Sequence, residues 1–203
     1  MREYVHFTKS RTVHGLIGML LDVMEYALLS LFCIILLCIY VFRFATVQGD
    51  SMLPTLEEGN QLLVNALDMH SECGDIIIID AQRAGLLRKE TSEPYQIDGL
   101  HKVIVKRVIA VEGQTLELDF DKGLVYRDGV VVDEPYCNTM TTAPAVNAAF
   151  KYPMTIPKGY VFVMGDNRAV SMDSRYSDVG LVPVTEIEGK VIFRLRPEFG
   201  SLS

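Results

Sequence analysis

Tyr26 to Phe42 reads YALLSLFCIILLCIYVF, seventeen residues without a charge. With the flanking Met24 and Ala45, the stretch approaches the ~20 residues an α-helix needs to cross a hydrocarbon core of ~30 Å. A buried core helix is normally shorter or shows a polar face. A cleaved leader needs small residues after its apolar run, whereas Phe42-Arg43-Phe44 is bulky. The sequence therefore predicts a retained transmembrane helix over 26–43. Arg2, Lys9 and Arg11 precede it, against Glu3, and positive charge beside a span stays in the cytoplasm. Residues 1–25 are thus expected to form a cytoplasmic N-terminus. Within it, 12–25 (TVHGLIGMLLDVME) reads as an amphipathic lead-in on the inner face, whose Asp22 and Glu25 oppose deep insertion. Residues 44–203 are expected outside, making a single-pass plasma-membrane protein.

The outer portion holds 15 of the 19 lysines and arginines and 23 of the 26 aspartates and glutamates. That acidic balance argues against a nucleic-acid partner and suits an exported domain. Cys73 and Cys137 fall outside, where a disulfide is chemically permitted; sequence gives no distance between them. No CxxC or Cys/His cluster suggests a metal, and no cofactor is expected. GDIIIIDA (74–81), HKVIVKRVIAV (101–111), TLELDF (115–120), YVFVMG (160–165) and KVIFRL (190–195) read as strands. LVYRDGVVVD (124–133) reads as a hairpin turning at Asp-Gly. Turns at short intervals favour an all-β antiparallel sandwich or barrel over βαβ units. Residues 82–100 and 137–158 read as surface excursions.

Just past the apolar run lies QGDSMLPTL (48–56). Ser51 there is either a turn residue or a nucleophile, and a serine hydroxyl needs a base to take its proton. His70 and His101 lie on the same side but in no supporting motif. A lysine serves only when neutral, which burial in apolar surroundings achieves by penalising the ammonium. At strand period two, Lys106 shares a face with Ile104, Val108 and Ala110, an apolar neighbourhood for an amine. Lys106 and Arg107 can equally be read as charges that protect a strand edge. The third feature is GDNRAVSMDSRYSDVGLV (165–182), with Asp166, Arg168, Asp173 and Arg175 among serines. It is either a solvated loop or a buried network that fixes its neighbours.

Taken together, these stretches resemble the bacterial type I signal peptidases, membrane-anchored serine proteases that remove signal peptides from exported proteins. QGDSMLPTL resembles the family's nucleophile box, GDIIIID its short Gly-Asp strand, KRVIAVEG its lysine box and GDNRAVSMDSR its last box, in the family's order. The resemblance implies Ser51 as nucleophile and Lys106 as general base. It implies Ser171 as the hydroxyl that hydrogen-bonds and orients the lysine, with Asp173 and Arg175 as the supporting ion pair. Asp166, Asn167 and Arg168 complete the last box in a structural role. The backbone N–H of Ser51 is implied as an oxyanion donor; some members carry a second donor on a serine two residues before the nucleophile, where this chain has Gly49.

The fold implied is an all-β domain of two antiparallel sheets behind one N-terminal transmembrane helix, the compact Gram-positive arrangement. Lysine, in place of the histidine of endoplasmic-reticulum relatives, points to the bacterial Ser-Lys form. The implied partners are the signal peptides of secreted preproteins, the lipid bilayer and the secretion translocon. Met52 and Leu53, apolar and close to the span, place the site at the outer membrane surface. Two other classes compete. A catalytically silent pilus-assembly or chaperone factor is expected to lose the serine or the lysine, and both are present. An autoproteolytic Ser-Lys repressor needs a DNA-binding helical domain where this chain has an apolar span.

Overall fold

The structure, a computed structural model, describes residues 9–68, 70–88, 91–137, 139–144, 146–197 and 200–201. Two compact units divide between Val41 and Phe42. The first contains α1 (Lys9–Val41), a 33-residue helix. Within it Ile17–Val41, 25 residues, is long and apolar enough to cross a membrane. Leu28, Leu29, Leu31, Ile34 and Leu37 point in different directions around the helix and all expose their side chains, so the helix is apolar around its circumference, as suits lipid. Ser30 donates its hydroxyl to the Ala27 carbonyl, which satisfies a polar group inside the helix. The helix passes unbroken through 12–25, so the expected lead-in and span form one element. It also ends sooner than expected. Phe42 and Arg43 pair with Asn65 and Val64 of a neighbouring strand, and the Arg43 guanidinium reaches Glu188.

The second unit is built from β1 (Phe42–Thr46), β2 (Gln61–Asn65), β3 (Ile76–Asp80), β4 (Arg83–Leu87), β5 (Pro94–Asp98), β6 (Val103–Ala110) and β7 (Thr115–Asp119). It continues through β8 (Leu124–Arg127), β9 (Val130–Val131), β10 (Met154–Thr155), β11 (Tyr160–Met164), β12 (Val182–Pro183), β13 (Ile187–Arg196) and β14 (Gly200–Ser201). The large sheet runs β1-β2-β13-β3-β6-β11-β12, with β14 also on β13, and the second runs β10-β7-β8-β9. The named strands pair antiparallel, as the sequence leads one to expect. The Asp-Gly turn between β8 and β9 has φ of 53° at Asp128 and 79° at Gly129, the positive pair a tight hairpin requires. One element is additional: residues 82–100, read as an excursion, contain the β4–β5 hairpin, a third small sheet. Gly85 docks it by exchanging backbone hydrogen bonds with Leu181 at 2.8 and 2.7 Å. A Cβ at Gly85 would lie 2.6 Å from the Leu181 oxygen, so only glycine allows that approach.

The large sheet is covered on both faces. Ile77 and Ile79 pack with Val108, Val161 and Val163 on one side, and Ile76 and Ile78 with Leu62, Val64 and Val191 on the other. Burial on both faces explains why β3 is a continuous isoleucine run rather than an alternating one. The far end of β6 joins the second sheet through Ile109, Leu116 and Val125. β6 pairs with β3 from Val103 to Arg107. Its other neighbour, β11, reaches only as far as Arg107. Residues 103–106 are therefore open on the β11 side.

Candidate active site

Ser51 is presented by a turn whose following residues are anchored. Leu53 N–H donates to the Asp50 carbonyl at 3.2 Å and Leu56 N–H to the Met52 carbonyl at 2.9 Å. Met52 (1% exposed) and Leu56 (0%) are core residues packed with Val47, Leu62, Val64 and Ile76. Met52 is thus not a surface residue, and its apolar character belongs to packing beneath the serine rather than to contact with a membrane. The buried flank leaves Ser51 half-exposed at the mouth of a groove.

Lys106 rises from the middle of β6, 3% exposed. Its Nζ lies 2.8 Å from Ser51 Oγ and 2.8 Å from the Val105 carbonyl oxygen. Burial pushes the ammonium down to about 8, against the opposing pull of the Asp173 and Asp166 carboxylates. An amine so placed is neutral in a useful fraction of molecules near neutral pH, and it is within reach of a serine proton.

The polar stretch after β11 is a buried network. Asp173 (0% exposed) accepts from Arg175 Nε at 2.8 Å on one oxygen, and from Arg175 NH2 at 2.9 Å and Gly165 N–H at 3.1 Å on the other. Arg175 also donates to the carbonyls of Arg168 at 2.8 Å and Thr142 at 2.9 Å. Asp166 is gripped at both oxygens by Arg107, through Nε at 2.8 Å and NH2 at 2.7 Å. Thr55, four residues after Ser51, also donates to it. Arg107 NH1 donates to the Gly74 carbonyl at 2.7 Å, and its guanidinium stacks 3.9 Å above the Tyr136 ring. Arg168 forms a fork with Glu134 and donates to Thr141.

Ser171 stands apart from its expected contact. Its Oγ is buried and has no hydrogen-bond partner among the described residues; Lys106 Nζ hydrogen-bonds to Ser51 Oγ and the Val105 carbonyl. It nevertheless borders Ser51. A Cβ built on Gly165 would come within 2.3 Å of both Ser171 Oγ and the Ser51 carbonyl oxygen.

The groove at Ser51 has a volume of about 310 Å³ and is lined by Ala45, Val47, Ile78, Val105 and Lys106 among others. The Ser51 N–H donates to no protein acceptor among the described residues, leaving it available to a developing oxyanion. Gly49 has φ of +79° and open space where a side chain would stand, so that position supplies no second donor. Cys73 and Cys137 are both free thiols; burial pushes Cys137 up to about 11.

The structure brings Ser51, Lys106, Asp166, Ser171, Asp173 and Arg175 into one neighbourhood. Arg107, Thr55, Tyr136 and Glu134 belong to the same network and are not singled out as site residues by sequence. Their signals were weak: Arg107 is an unremarkable charge beside Lys106, and Glu134 is 34 residues from its partner.

With this geometry in view, the relatives are informative. The model of a family described as signal peptidase, peptidase S26, matches residues 20–196. A probable signal peptidase I-1 of Synechocystis sp. is 36% identical over 175 residues, 84% of this chain and 79% of that protein. Signal peptidase I of Bacillus caldolyticus is 34% identical over 172 residues, 78% of this chain and 82% of its own. Among solved structures, a signal peptidase I from Enterococcus faecalis V583 aligns with 60% of this chain and 96% of its own at 26% identity, with a TM-score of 0.41. The chain belongs to the signal peptidase family, peptidase S26, and is an endopeptidase of that class.

Proposed function

We propose that this chain removes N-terminal signal peptides from exported preproteins with a Ser51–Lys106 dyad, through an acyl-enzyme. The carrying observation is the 2.8 Å separation of Lys106 Nζ and Ser51 Oγ around a buried amine. Neutral Lys106 takes the Ser51 proton as Oγ attacks the scissile carbonyl carbon. The Ser51 N–H stabilises the resulting oxyanion, and such a donor is worth about 3 kcal/mol of barrier. Collapse breaks the C–N bond, with the Lys106 ammonium protonating the departing amine of the mature protein. Lys106 then takes a proton from water, whose oxygen attacks the ester; the signal peptide leaves as a carboxylate and Ser51 regains its proton.

The open side of residues 103–106 supports binding of the substrate as an added extended strand. A groove of about 310 Å³ beside Ser51 suits small residues before the cut. α1 serves as the anchor, and the basic residues at and before its start favour a cytoplasmic N-terminus with the β-unit outside. The translocon that delivers preproteins is the expected neighbour there. The test is cleavage of a preprotein in lipid by Ser51→Ala and Lys106→Ala, each expected to lower kcat by at least ~10³-fold. Normal processing by either variant rules out the dyad.

A further inference from the structure

Asn167, next to the ion-paired Asp166, touches the nucleophile turn at two consecutive carbonyls. Its side-chain Nδ2 donates to the Asp50 oxygen at 3.1 Å, and its backbone N–H donates to the Ser51 oxygen at 3.0 Å. The Asp50–Ser51 peptide is trans. In a trans peptide the C=O and N–H lie in one plane and point in opposite directions. The N–H of that unit belongs to Ser51, the single oxyanion donor assigned above. Fixing the Asp50 carbonyl therefore fixes the aim of the Ser51 N–H.

We propose that Asn167 is a positioning residue that holds the Asp50–Ser51 peptide plane so that the Ser51 N–H faces the forming oxyanion. The Leu53 N–H also reaches the Asp50 oxygen, at 3.2 Å, but that bond lies within the turn and cannot orient the turn toward the lysine. Asn167 does so. Its own carbonyl accepts from Val170 and Ser171 N–H at 3.3 and 3.1 Å, and its neighbour Asp166 is clamped to Arg107, the residue after Lys106. The preceding Gly49, at φ of +79° with open space around it, offers no side chain to brace the peptide. A hydrogen bond to an amide oxygen also polarises the unit and strengthens its N–H as a donor. With no second donor at position 49, the orientation of one N–H weighs more heavily on the rate.

The inference rests on the Ser51–Lys106 reading and is tested beside it. Full-length Asn167→Ala and the nearly isosteric Asn167→Asp would be assayed on a peptide substrate and on its analogue with a thiocarbonyl at the scissile bond. Sulfur accepts hydrogen bonds poorly, so the wild type is expected to turn over the thio substrate more slowly. Both variants should lose ~10- to 100-fold in kcat with KM within about twofold. Their oxo-to-thio rate ratio should shrink, and the acid limb of their pH profile should stay at the wild-type position. A kcat within twofold of wild type, or an unchanged oxo-to-thio ratio, overturns the proposal. Ser51→Ala separates the two readings: if it remains active the dyad itself fails, whereas an inactive Ser51→Ala beside a fully active Asn167→Asp removes only the role of Asn167.

Discussion

At Lys106 two influences act on one ammonium: burial drives it toward the neutral amine, while Asp173 and Asp166 draw it back toward the charged form. In the free enzyme, kcat/KM should therefore rise with pH along a limb centred near 8 rather than near 10.5. A profile flat from pH 6 to 9 contradicts this. The same shift acts on stability. An unfolded lysine holds its proton up to about 10.5 whereas the folded one releases it near 8, so between those values the unfolded chain binds more protons and stability rises with pH. Below 8 both states are charged and the full cost of burying the ammonium is felt. Lys106→Met should be inactive yet at least as stable at pH 7, with its melting-temperature advantage shrinking as pH rises from 8 to 10.5. Gly165→Ala tests close approach instead. Its methyl would fall 2.3 Å from Ser171 Oγ and the Ser51 carbonyl oxygen, and we expect kcat to drop ~10²-fold or more, as small misplacements at a reacting centre do. Much of this was legible beforehand. Alternation in HKVIVKRVIAV put Lys106 among apolar residues, and the resemblance joined it to Ser51. The direction of the Ser171 hydroxyl was not, since a rotamer depends on neighbours far apart in sequence.

At the scale of elements, β6 and the loop after β11 are joined by charges that no local pattern reveals. Arg107 admits a reading as an edge charge because sequence does not show strand order. In the fold β6 lies between β3 and β11, with Arg107 opposite both Ile76 and Met164, so its guanidinium is buried and must be paired. Its partner Asp166 is 59 residues away. The segment after β9, read as an excursion from 137, is tied to the same loop through Glu134, Thr139 and Thr141 on Arg168 and through the Thr142 carbonyl on Arg175. Removing one member of a buried pair leaves the other uncompensated, at a cost of roughly 3–5 kcal/mol. Asp166→Asn should accordingly lower the melting temperature by about 6–20 °C for a unit of this size and reduce activity, since the carboxylate also holds Thr55, four residues after Ser51. Glu134, 12% exposed against 0% for Asp166, is the less buried acid, so Glu134→Gln should cost less. Equal melting temperatures for wild type and Asp166→Asn would show that the pair contributes nothing to the fold.

At the scale of the whole molecule, the three core clusters all lie within residues 47–191, and the chain divides at Val41. The β-unit thus carries its own core, and a fragment of residues 42–203 should fold without α1. Where the cut falls matters more than the loss of the helix. Phe42–Thr46 pair with β2 at five successive positions, Arg43 reaches Glu188, Ala45 packs against the cluster beneath Ser51, and Ala45 and Thr46 line the groove. The sequence assigned residues 42 and 43 to the span because Phe42 prolongs its apolar run; strand pairing, a long-range interaction, claims them instead. Fragment 42–203 should therefore match the melting temperature of the β-unit in the full-length protein and retain kcat on a short peptide in solution. It should lose ~10-fold or more in kcat/KM on a lipid-embedded preprotein, since colocalisation raises the effective concentration of a substrate held in the same bilayer. Fragment 47–203 lacks β1, exposes the edge of β2 and should melt lower with weaker turnover on both substrates. Thermal melting and parallel peptide and preprotein assays distinguish these outcomes. Equal behaviour of the two fragments would mean that β1 contributes nothing to the stability or turnover of the β-unit.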